Sequence, residues 1–218
     1  METYRVTKND LNDDNEYIGK TDLSAFGGNI EIEASLGFVR FKTIKVGGYI
    51  KIEAGTWIEA GTSIEAGYSI DAGTWIEAGT SIEAGTWIKA GYSIEAGTSI
   101  KAGTWIKAGA SIEAGTSIKD GASIEAGDSI EAGASIEAGL AIFCKLTLSS
   151  GLRIFAGLCL WRLPTDDERK ITCGKLVEGD VCYGKLVELG TPDEKEECFV
   201  ARSDETIEVN GVKYQRVD

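Results

Sequence analysis

A period of six residues constrains this chain more than any other feature of its sequence. Isoleucine recurs at every sixth position from Ile52 to Ile142, in units that read mostly I-E-A-G-T-S or I-E-A-G-T-W. Aliphatic residues extend the series in both directions to twenty units: Val46, Leu148, Ile154 and Leu160. A period of six fits neither the 3.6 residues of an α-helical turn nor the simple alternation of a hairpin sheet. The series therefore predicts a repeat architecture.

Within one unit, the residues alternate as they do in a β-strand and then reach a bend. Thr56 and Ile58 are predicted to point inward, and Trp57 and Glu59 outward. The Ala-Gly pair that follows suits a tight corner, because glycine adopts positive φ and alanine is small. Each unit is therefore predicted to be a short strand followed by a bend, with isoleucine filling the interior.

Substitutions in the units recur at a separation of eighteen residues. Trp57 and Trp75 are eighteen residues apart, and so are Lys89 and Lys107. Stacked residues on adjacent coils tend to match, so this separation predicts three units per coil. Twenty units then form between six and seven coils, or about 32 Å of triangular prism at about 4.8 Å per rung.

The units resemble the hexapeptide-repeat superfamily of left-handed parallel β-helices. The resemblance rests on an aliphatic residue, glycine three residues later and a small residue after it, as in Ile112, Gly115 and Thr116. The left hand comes from the resemblance alone, since crossover connections in sheets are ordinarily right-handed. The predicted fold class is therefore all-β: a single-stranded, left-handed parallel β-helix shaped as a triangular prism, with a small C-terminal β-hairpin region.

Three regions are predicted along the chain. Residues 1–45 form an N-terminal cap and an irregular first coil, residues 46–163 form the β-helix, and residues 164–218 hold cap strands, an acidic linker and a β-hairpin. The segment GKLVE begins at Gly174 and again at Gly184, which predicts two short paired strands. Asn210-Gly211 between alternating strands predicts a type I′ turn. The hairpin is either part of the cap or a separate docking module.

The charge of the chain limits its partners. It has 35 acidic and 22 basic residues and a formal net charge of −13. Nucleic acids and anionic membranes attract basic surfaces, so direct binding to either is not expected. The acidity favours a basic partner or simply aids solubility.

Composition also indicates the compartment. The N-terminus lacks the apolar core of a signal peptide, and no run is apolar enough to span a membrane. The cysteines are odd in number and form no CxxC pair, so reduced thiols in a cytoplasmic protein are expected, without a zinc site, a disulfide framework or a cofactor. They are Cys144, Cys159, Cys173, Cys182 and Cys198.

Stacking at eighteen residues turns each outward position into a ladder of side chains, and one of the three faces is predicted to be uniformly acidic. This second face carries Glu59, Glu77, Glu95, Glu113 and Glu131. The first face is predicted to carry Glu53, Asp71, Lys89, Lys107 and Glu125. The third is predicted to carry Glu65, Glu83, Lys101, Lys119 and Glu137. Like charges at this spacing repel by roughly 1 kcal/mol per adjacent pair even in water.

Three interpretations of the acidic face are compatible with the sequence. The carboxylates form a binding stripe for a basic partner. Alternatively, the unit was duplicated together with its glutamate, and solvent ions screen the repulsion. The third interpretation is weak binding of Ca²⁺, which prefers oxygen ligands.

Tryptophans occupy outward positions in two pairs, Trp57 with Trp75 and Trp87 with Trp105. Exposed tryptophans are typical of interface anchors, including those of homo-oligomers. The alternative is an aromatic ladder that stabilises neighbouring rungs by stacking. Local bulges are predicted at Tyr68 and Tyr92, which replace the usual threonine.

Two classes of function are disfavoured by the sequence. The chain has no histidine, which is the usual general base of the acyltransferases in the superfamily that it resembles. The units also lack the long insertions that build such an active site. An ice-binding surface would need a flat, uncharged threonine array, whereas the threonines are predicted to point inward: Thr62, Thr80, Thr98 and Thr116.

The predicted function is therefore that of a non-enzymatic interaction protein. Its acidic, Trp-bearing surface is expected to bind the basic surface of another protein, such as a nuclease. It would act there as a nucleic-acid mimic, as inhibitors of the phage anti-defence or anti-CRISPR type do. A structural β-helix that self-assembles through its tryptophans is the alternative, and a hexapeptide-repeat acyltransferase is the third candidate.

Overall fold

The computed structural model of the protein describes residues 1–158, 162–190, 206–209 and 212–215. The strands up to residue 190 form an all-β parallel solenoid of about nine turns, which confirms the predicted parallel β-helix. The turns exceed the predicted six to seven because irregular coils precede the six-residue units and further strands follow them. The helical part of the described chain is a single 3-10 turn, Lys8–Asp10. No helix in these ranges has the length and apolar character needed to cross a bilayer.

The strands stack in register on three faces. The first face is a ten-stranded sheet made of Thr3–Val6, Asn29–Ile32, Ile50–Ile52, Ile70–Ala72, Trp87–Ala90, Trp105–Ala108, Ser123–Ala126, Ile142–Cys144, Lys170–Cys173 and Lys185–Glu188. The second face contains Gly37–Phe41, Thr56–Ala60, Ile76–Ala78, Ile94–Ala96, Ser111–Ala114 and Ser129–Ala132. The third contains Ile44–Val46, Ser63–Ala66, Ser81–Ala84, Ser99–Ala102, Ser117–Asp120 and Ser135–Ala138.

One long strand joins the second and third faces. Thr147–Ala156 turns the corner between them and pairs with the last strand of each, Ser129–Ala132 and Ser135–Ala138. Lys175–Tyr183 then lies along this strand in parallel. The second and third faces therefore form a single fourteen-stranded sheet.

The interior consists mainly of the isoleucine and the alanine of the six-residue units. Ile94 is fully buried and Ala96 is 2% exposed, and the same pair recurs in each coil. Side chains alternate along these short strands, so the charged residue between isoleucine and alanine points outward. The prediction that alanine sits in the corner and threonine points inward is wrong for most units. Glycine and threonine form the corner, and a threonine such as Thr98 is exposed.

The isoleucine column begins in a different register from the predicted one. Ile50, rather than Ile52, stacks on Ile70, and Ile52 takes the position that alanine holds in later coils. Val46 also takes an alanine position, while Ile44 belongs to the isoleucine column. The cause is the length of these coils, since the stacked residues are twenty apart instead of eighteen.

At the C-terminal end, Leu148 and Ile154 continue the isoleucine column as predicted. Ile171 holds the position above Ile142. The residue that was predicted to extend the column, Leu160, lies outside the described residues.

The two KLVE segments are both strands, but they do not pair with each other as predicted. Lys175–Tyr183 pairs with the corner-turning strand, whereas Lys185–Glu188 pairs with Lys170–Cys173 on the first face. Thr206–Val209 and Val212–Gln215 form the predicted antiparallel hairpin. Its turn residues, Asn210 and Gly211, lie outside the described residues.

Close approach of neighbouring backbones, rather than positive φ, explains the corner glycines. None of the glycines from Gly61 to Gly151, all of them described, has a positive φ. A β-carbon on Gly97 would instead overlap the carbonyl oxygen of Gly79 in the preceding coil. The Gly97 amide donates to the Ala78 carbonyl at 3.0 Å. Glycine therefore lets successive corners approach closely enough to hydrogen-bond.

Candidate functional site

The structure places five glutamates of the second face in one row, called here the acidic ladder. It consists of Glu59, Glu77, Glu95, Glu113 and Glu131. Adjacent strands of a sheet lie about 4.8 Å apart, so the carboxylates project from one face at short and regular intervals. All except Glu59 are exposed. The register that the eighteen-residue spacing predicted for these residues is the one that the strands adopt.

The row also has a basic member that the sequence analysis did not place. Arg40 is in register with Glu59 and precedes it by one coil. Its Nε and Nη2 donate to the two carboxylate oxygens of Glu59 at 3.2 and 3.1 Å, and its guanidinium carbon lies 5.5 Å from the centroid of the Phe38 ring. This coil has nineteen residues, so a search at intervals of eighteen misses Arg40.

The rest of the acidic ladder is not neutralised by the described part of the chain. Among those residues, no ion pair reaches Glu77, Glu95, Glu113 or Glu131. Partial burial and the negative charges of Glu95 and Glu131 raise the pKa of Glu113 above its ordinary value. The carboxylates therefore repel one another, as the spacing predicts.

The third face is electrically balanced, in contrast to the second. Three lysines and three glutamates alternate there in pairs. The pairs are Lys45 with Glu65 at 2.7 Å, Lys101 with Glu83 at 2.8 Å and Lys119 with Glu137 at 2.9 Å. Each positive charge has a negative partner on an adjacent rung, so the row sums to zero.

The charges of the first face also nearly cancel, although its N-terminal members differ from the predicted ones. Glu53 is not in the row, because the longer coil brings Lys51 into register with Asp71; Glu53 pairs with Arg5 at 3.6 Å instead. The row is Arg5, Glu31, Lys51, Asp71, Lys89, Lys107 and Glu125. It sums to +1, whereas Arg40 and the five glutamates of the acidic ladder sum to −4.

An aromatic column runs beside the N-terminal part of the acidic ladder. It consists of Phe38, Trp57, Trp75 and Tyr92, whose successive ring centroids are 6.0, 5.8 and 5.2 Å apart. Trp57 and Trp75 meet edge to face at 83° rather than in the predicted stack. Tyr92 lies at the corner and contacts Trp75 from there. Its amide keeps the hydrogen bond between coils, to the Thr74 carbonyl at 2.9 Å, so the predicted bulge is absent at Tyr92. Tyr68 likewise keeps its backbone hydrogen bond, to Gly48 at 3.0 Å.

The other two tryptophans lie on a different face from the acidic ladder. Trp87 and Trp105 are in register on the first face, next to Lys89 and Lys107. Their rings stack in parallel, with centroids 4.9 Å apart and an interplanar angle of 1°. The predicted set of binding residues is therefore divided between two surfaces, and only Trp57 and Trp75 adjoin the carboxylates.

The aromatic column ends in a depression, called here the second-face hollow, with a volume of 320 Å³. Ser93 and Ser111 occupy the outward position that Trp57 and Trp75 hold in the two preceding coils, and the small side chains leave the space open. Their hydroxyl oxygens are 3.0 Å apart and share a hydrogen bond. The hollow is lined by Trp75, Tyr92, Glu77, Glu95, Glu113 and the two serines. It thus combines rings from the aromatic column with carboxylates from the acidic ladder.

Thr56 is buried, as predicted, but four other threonines with a predicted inward position face solvent at a corner: Thr62, Thr80, Thr98 and Thr116. The last three each donate their amide to the carbonyl of the threonine before, as Thr98 does to Thr80 at 2.7 Å. The neighbouring outward row is the charged row of the third face. Thr86 and Thr104 stack in the same way at a second corner. On the described surface these threonines therefore lie in narrow files along corners rather than in a flat uncharged array.

A buried carboxyl group that the sequence analysis did not single out lies at the far end of the third face. Asp120 takes the inward alanine position between Ala102 and Ala138 and is 5% exposed. Its Oδ2 accepts a hydrogen bond from the Ala122 amide at 2.7 Å, but no described residue bonds its Oδ1. Burial raises the pKa of Asp120 to about 7. In the sequence this carboxyl group is visible as I-K-D-G in place of the usual I-E-A-G.

The described cysteines are free thiols, and the buried ones are poor nucleophiles. Burial raises the pKa of Cys144 to about 12 and that of Cys173 to about 11, while Cys182 is exposed. A thiol with a raised pKa stays protonated at neutral pH. No group of three histidine, cysteine, aspartate or glutamate residues in the described ranges is arranged to hold a metal ion. Cys159 and Cys198 lie outside those ranges.

Comparison of the chain with models of protein families, with curated proteins and with solved structures finds no match.

Proposed function

We propose that this protein is a non-enzymatic interaction protein, built on a left-handed β-helix of the hexapeptide-repeat superfamily, whose second face binds a basic surface of another macromolecule. The observation that carries the proposal is the distribution of charge. The outward row of the third face sums to zero and that of the first face to +1, whereas Arg40 and the acidic ladder on the second face sum to −4.

The rigidity of the face supports this function. Every coil is hydrogen-bonded to the next through its strands and its corners, so the backbone positions that carry the carboxylates are fixed before a partner arrives. Pre-organised groups lose little conformational entropy on binding. A positively charged partner would also relieve the repulsion within the acidic ladder, and the attraction would raise its association rate and make binding sensitive to salt.

The spacing of the carboxylates favours a nucleic-acid-binding enzyme as the partner. Negative charges follow one another at about 4.8 Å along the ladder, and one strand of duplex DNA carries a phosphate about every 3.4 Å along its axis. A nuclease that grips a phosphate backbone with lysines and arginines would meet a similar row of charges here. The role proposed is that of an inhibitor of the phage anti-defence or anti-CRISPR type, acting as a nucleic-acid mimic in the cytoplasm.

A charge-reversal experiment tests this function. Glu77, Glu95 and Glu113 are changed to Lys, and a control changes Glu65, Glu83 and Glu137 to Lys, which alters the net charge equally on the third face. Immobilised proteins are incubated with an extract of DNA-binding enzymes, and bound enzymes are eluted with a duplex oligonucleotide. We expect the wild type and the control to retain nuclease that the duplex releases, and the second-face variant to retain none. Equal capture by both variants, with circular dichroism showing that both are folded, would refute the proposal.

Self-assembly is the second candidate, and the stacked pair Trp87 and Trp105 on the first face, whose charges nearly cancel, is what favours it. Neutral surfaces that carry large aromatic side chains suit association between identical chains. Sedimentation velocity of a Trp87→Ser, Trp105→Ser variant tests it. A shift from a larger to a smaller species would favour self-assembly, and a wild type that already sediments as a monomer would exclude it.

A further inference from the structure

The geometry points to arginine as the side chain that the second-face hollow receives. A guanidinium group of the partner would enter over Ser93 and lie between the rings of Trp75 and Tyr92 and the carboxylates of Glu77 and Glu95. This inference rests on the proposed function and specifies the chemistry of the group that is recognised.

The chain itself contains one example of the same arrangement. Arg40 lies beside the ring of Phe38, at the start of the aromatic column, and forms a two-point ion pair with Glu59 on the next rung. The contact therefore uses a ring from one column and a carboxylate from the other. It shows that the spacing of the two columns accommodates a planar guanidinium.

Two rungs further along, the hollow offers the same groups without a cation from the chain. Trp75 is 42% exposed and Tyr92 is 53% exposed, so their rings are accessible to a ligand. The described residues provide no ion-pair partner for Glu77 or Glu95. Since serine replaces tryptophan at position 93, the space that a third ring would fill is open.

Guanidinium matches this lining better than the other groups that a protein partner could insert. Its plane packs against aromatic rings, and its fork of N–H donors satisfies two carboxylate oxygens at once. An ammonium group is a compact, strongly hydrated charge and makes less use of the rings. An apolar side chain would desolvate the carboxylates without pairing them, which costs free energy.

Two peptides of equal length and charge, hexa-arginine and hexa-lysine, provide the test. Their dissociation constants for the full chain are measured by fluorescence anisotropy at low and moderate salt. We expect hexa-arginine to bind about five-fold more tightly, which is the size of one exposed cation–π contact. In a Trp75→Ser, Tyr92→Thr variant we expect the two peptides to bind equally, with the salt dependence retained.

A matched variant controls for the loss of aromatic residues in general. Trp87→Ser with Tyr68→Thr removes the same two residue types away from the hollow, one from the first face and one from the corner before it, and we expect it to keep the preference for arginine. The indole N–H resonance of Trp75 should shift on titration with hexa-arginine, while that of Trp87 should not. Equal binding of both peptides by the wild type would overturn this inference and leave the proposed function standing. Binding of neither peptide would overturn the proposed function itself.

Discussion

Arg40 and Glu59 lie one coil apart on the second face and meet through two hydrogen bonds, of 3.2 and 3.1 Å. The chain thereby neutralises the N-terminal end of its own acidic ladder. The stretch of carboxylates that is left for a partner begins at Glu77 and runs toward the C-terminal end of the solenoid.

Removing the internal cation should lengthen the binding surface. We expect Arg40→Gln to increase the affinity for hexa-arginine by about two- to three-fold, because Glu59 then becomes available and an exposed pair is worth well under 1 kcal/mol. Anisotropy titrations at low salt would measure the change. Arg5→Gln is the matched control, since Arg5 pairs with Glu53 outside the ladder and its loss should have a smaller effect. A decrease in affinity in the Arg40 variant would contradict the prediction.

Neutralising the middle of the acidic ladder should stabilise the fold. The pKa of Glu113 is raised by partial burial and by Glu95 and Glu131, so this carboxyl group lowers stability as the pH rises through its folded pKa. We expect Glu113→Gln to raise the Tm at pH 7 by about 1–2 °C, which corresponds to roughly half a kcal/mol. The gain should disappear near pH 3, where the carboxyl group is protonated in both states.

The control for that substitution lies on the balanced third face. Glu137 forms an ion pair with Lys119 at 2.9 Å, so Glu137→Gln removes an attraction instead of a repulsion. Calorimetry of both variants across the same pH range would distinguish them. A similar rise in Tm for both would show that the stabilisation does not come from relieved repulsion.

Asp120 should make the stability of the protein depend on pH around neutrality. Burial raises its pKa to about 7 from the ordinary 3.8, so the folded state holds a proton that the unfolded state has already released. Stability should therefore fall as the pH rises from about 4 to about 7 and then level off. Asp120→Ala restores the residue that the repeat carries elsewhere and should remove this slope.

The size of that effect follows from the shift. A displacement of about three pKa units corresponds to about 4 kcal/mol at pH 8, which is an upper value for the gain expected from Asp120→Ala. Urea denaturation of both proteins at pH 5 and at pH 8 would measure it. If the two curves differ equally at both pH values, the carboxyl group does not titrate in this range.

Corner glycines should differ sharply in their tolerance of alanine within one column. Gly97→Ala places a β-carbon against the Gly79 carbonyl oxygen, and we expect a loss of about 1–3 kcal/mol from the resulting overpacking. At Gly61, in the same column, the nearest atom to a β-carbon is the Lys42 carbonyl oxygen at 3.7 Å. Gly61→Ala should therefore be nearly neutral. Thermal unfolding of the two variants would measure the difference. Equal losses of stability would contradict the explanation that close backbone approach requires glycine.

The sequence determines the middle of the solenoid well and its first coils poorly. Spacings of six and eighteen place the five glutamates of the ladder correctly, because every coil between Glu59 and Glu131 has the same length. In the first coils, extra residues in the corners change the register without changing the apolar pattern, so Ile50 and Ile52 look equally suited to the core. The same insertions place Arg40 nineteen residues before Glu59 instead of eighteen. They also bring Lys51, rather than Glu53, into register with Asp71.

The binding surface depends on distances that a linear pattern does not contain. Alternation around isoleucine assigns threonine and alanine to the same side, and only the path of the corner shows that alanine is inside. The replacement of tryptophan by Ser93 is visible in the sequence. That this replacement opens a space beside Trp75 and Tyr92, bordered by three carboxylates, becomes visible only when successive coils are stacked.

Equal coil length has a consequence for how such a chain can change over generations. A tandem duplication of eighteen residues, such as 76–93, would add one further carboxylate in line with the rest and leave both ends of the molecule intact. A single duplication can thus lengthen the negatively charged row by one coil at a time. A row of charges could in this way be matched to the length of a groove on its target without redesign of the core.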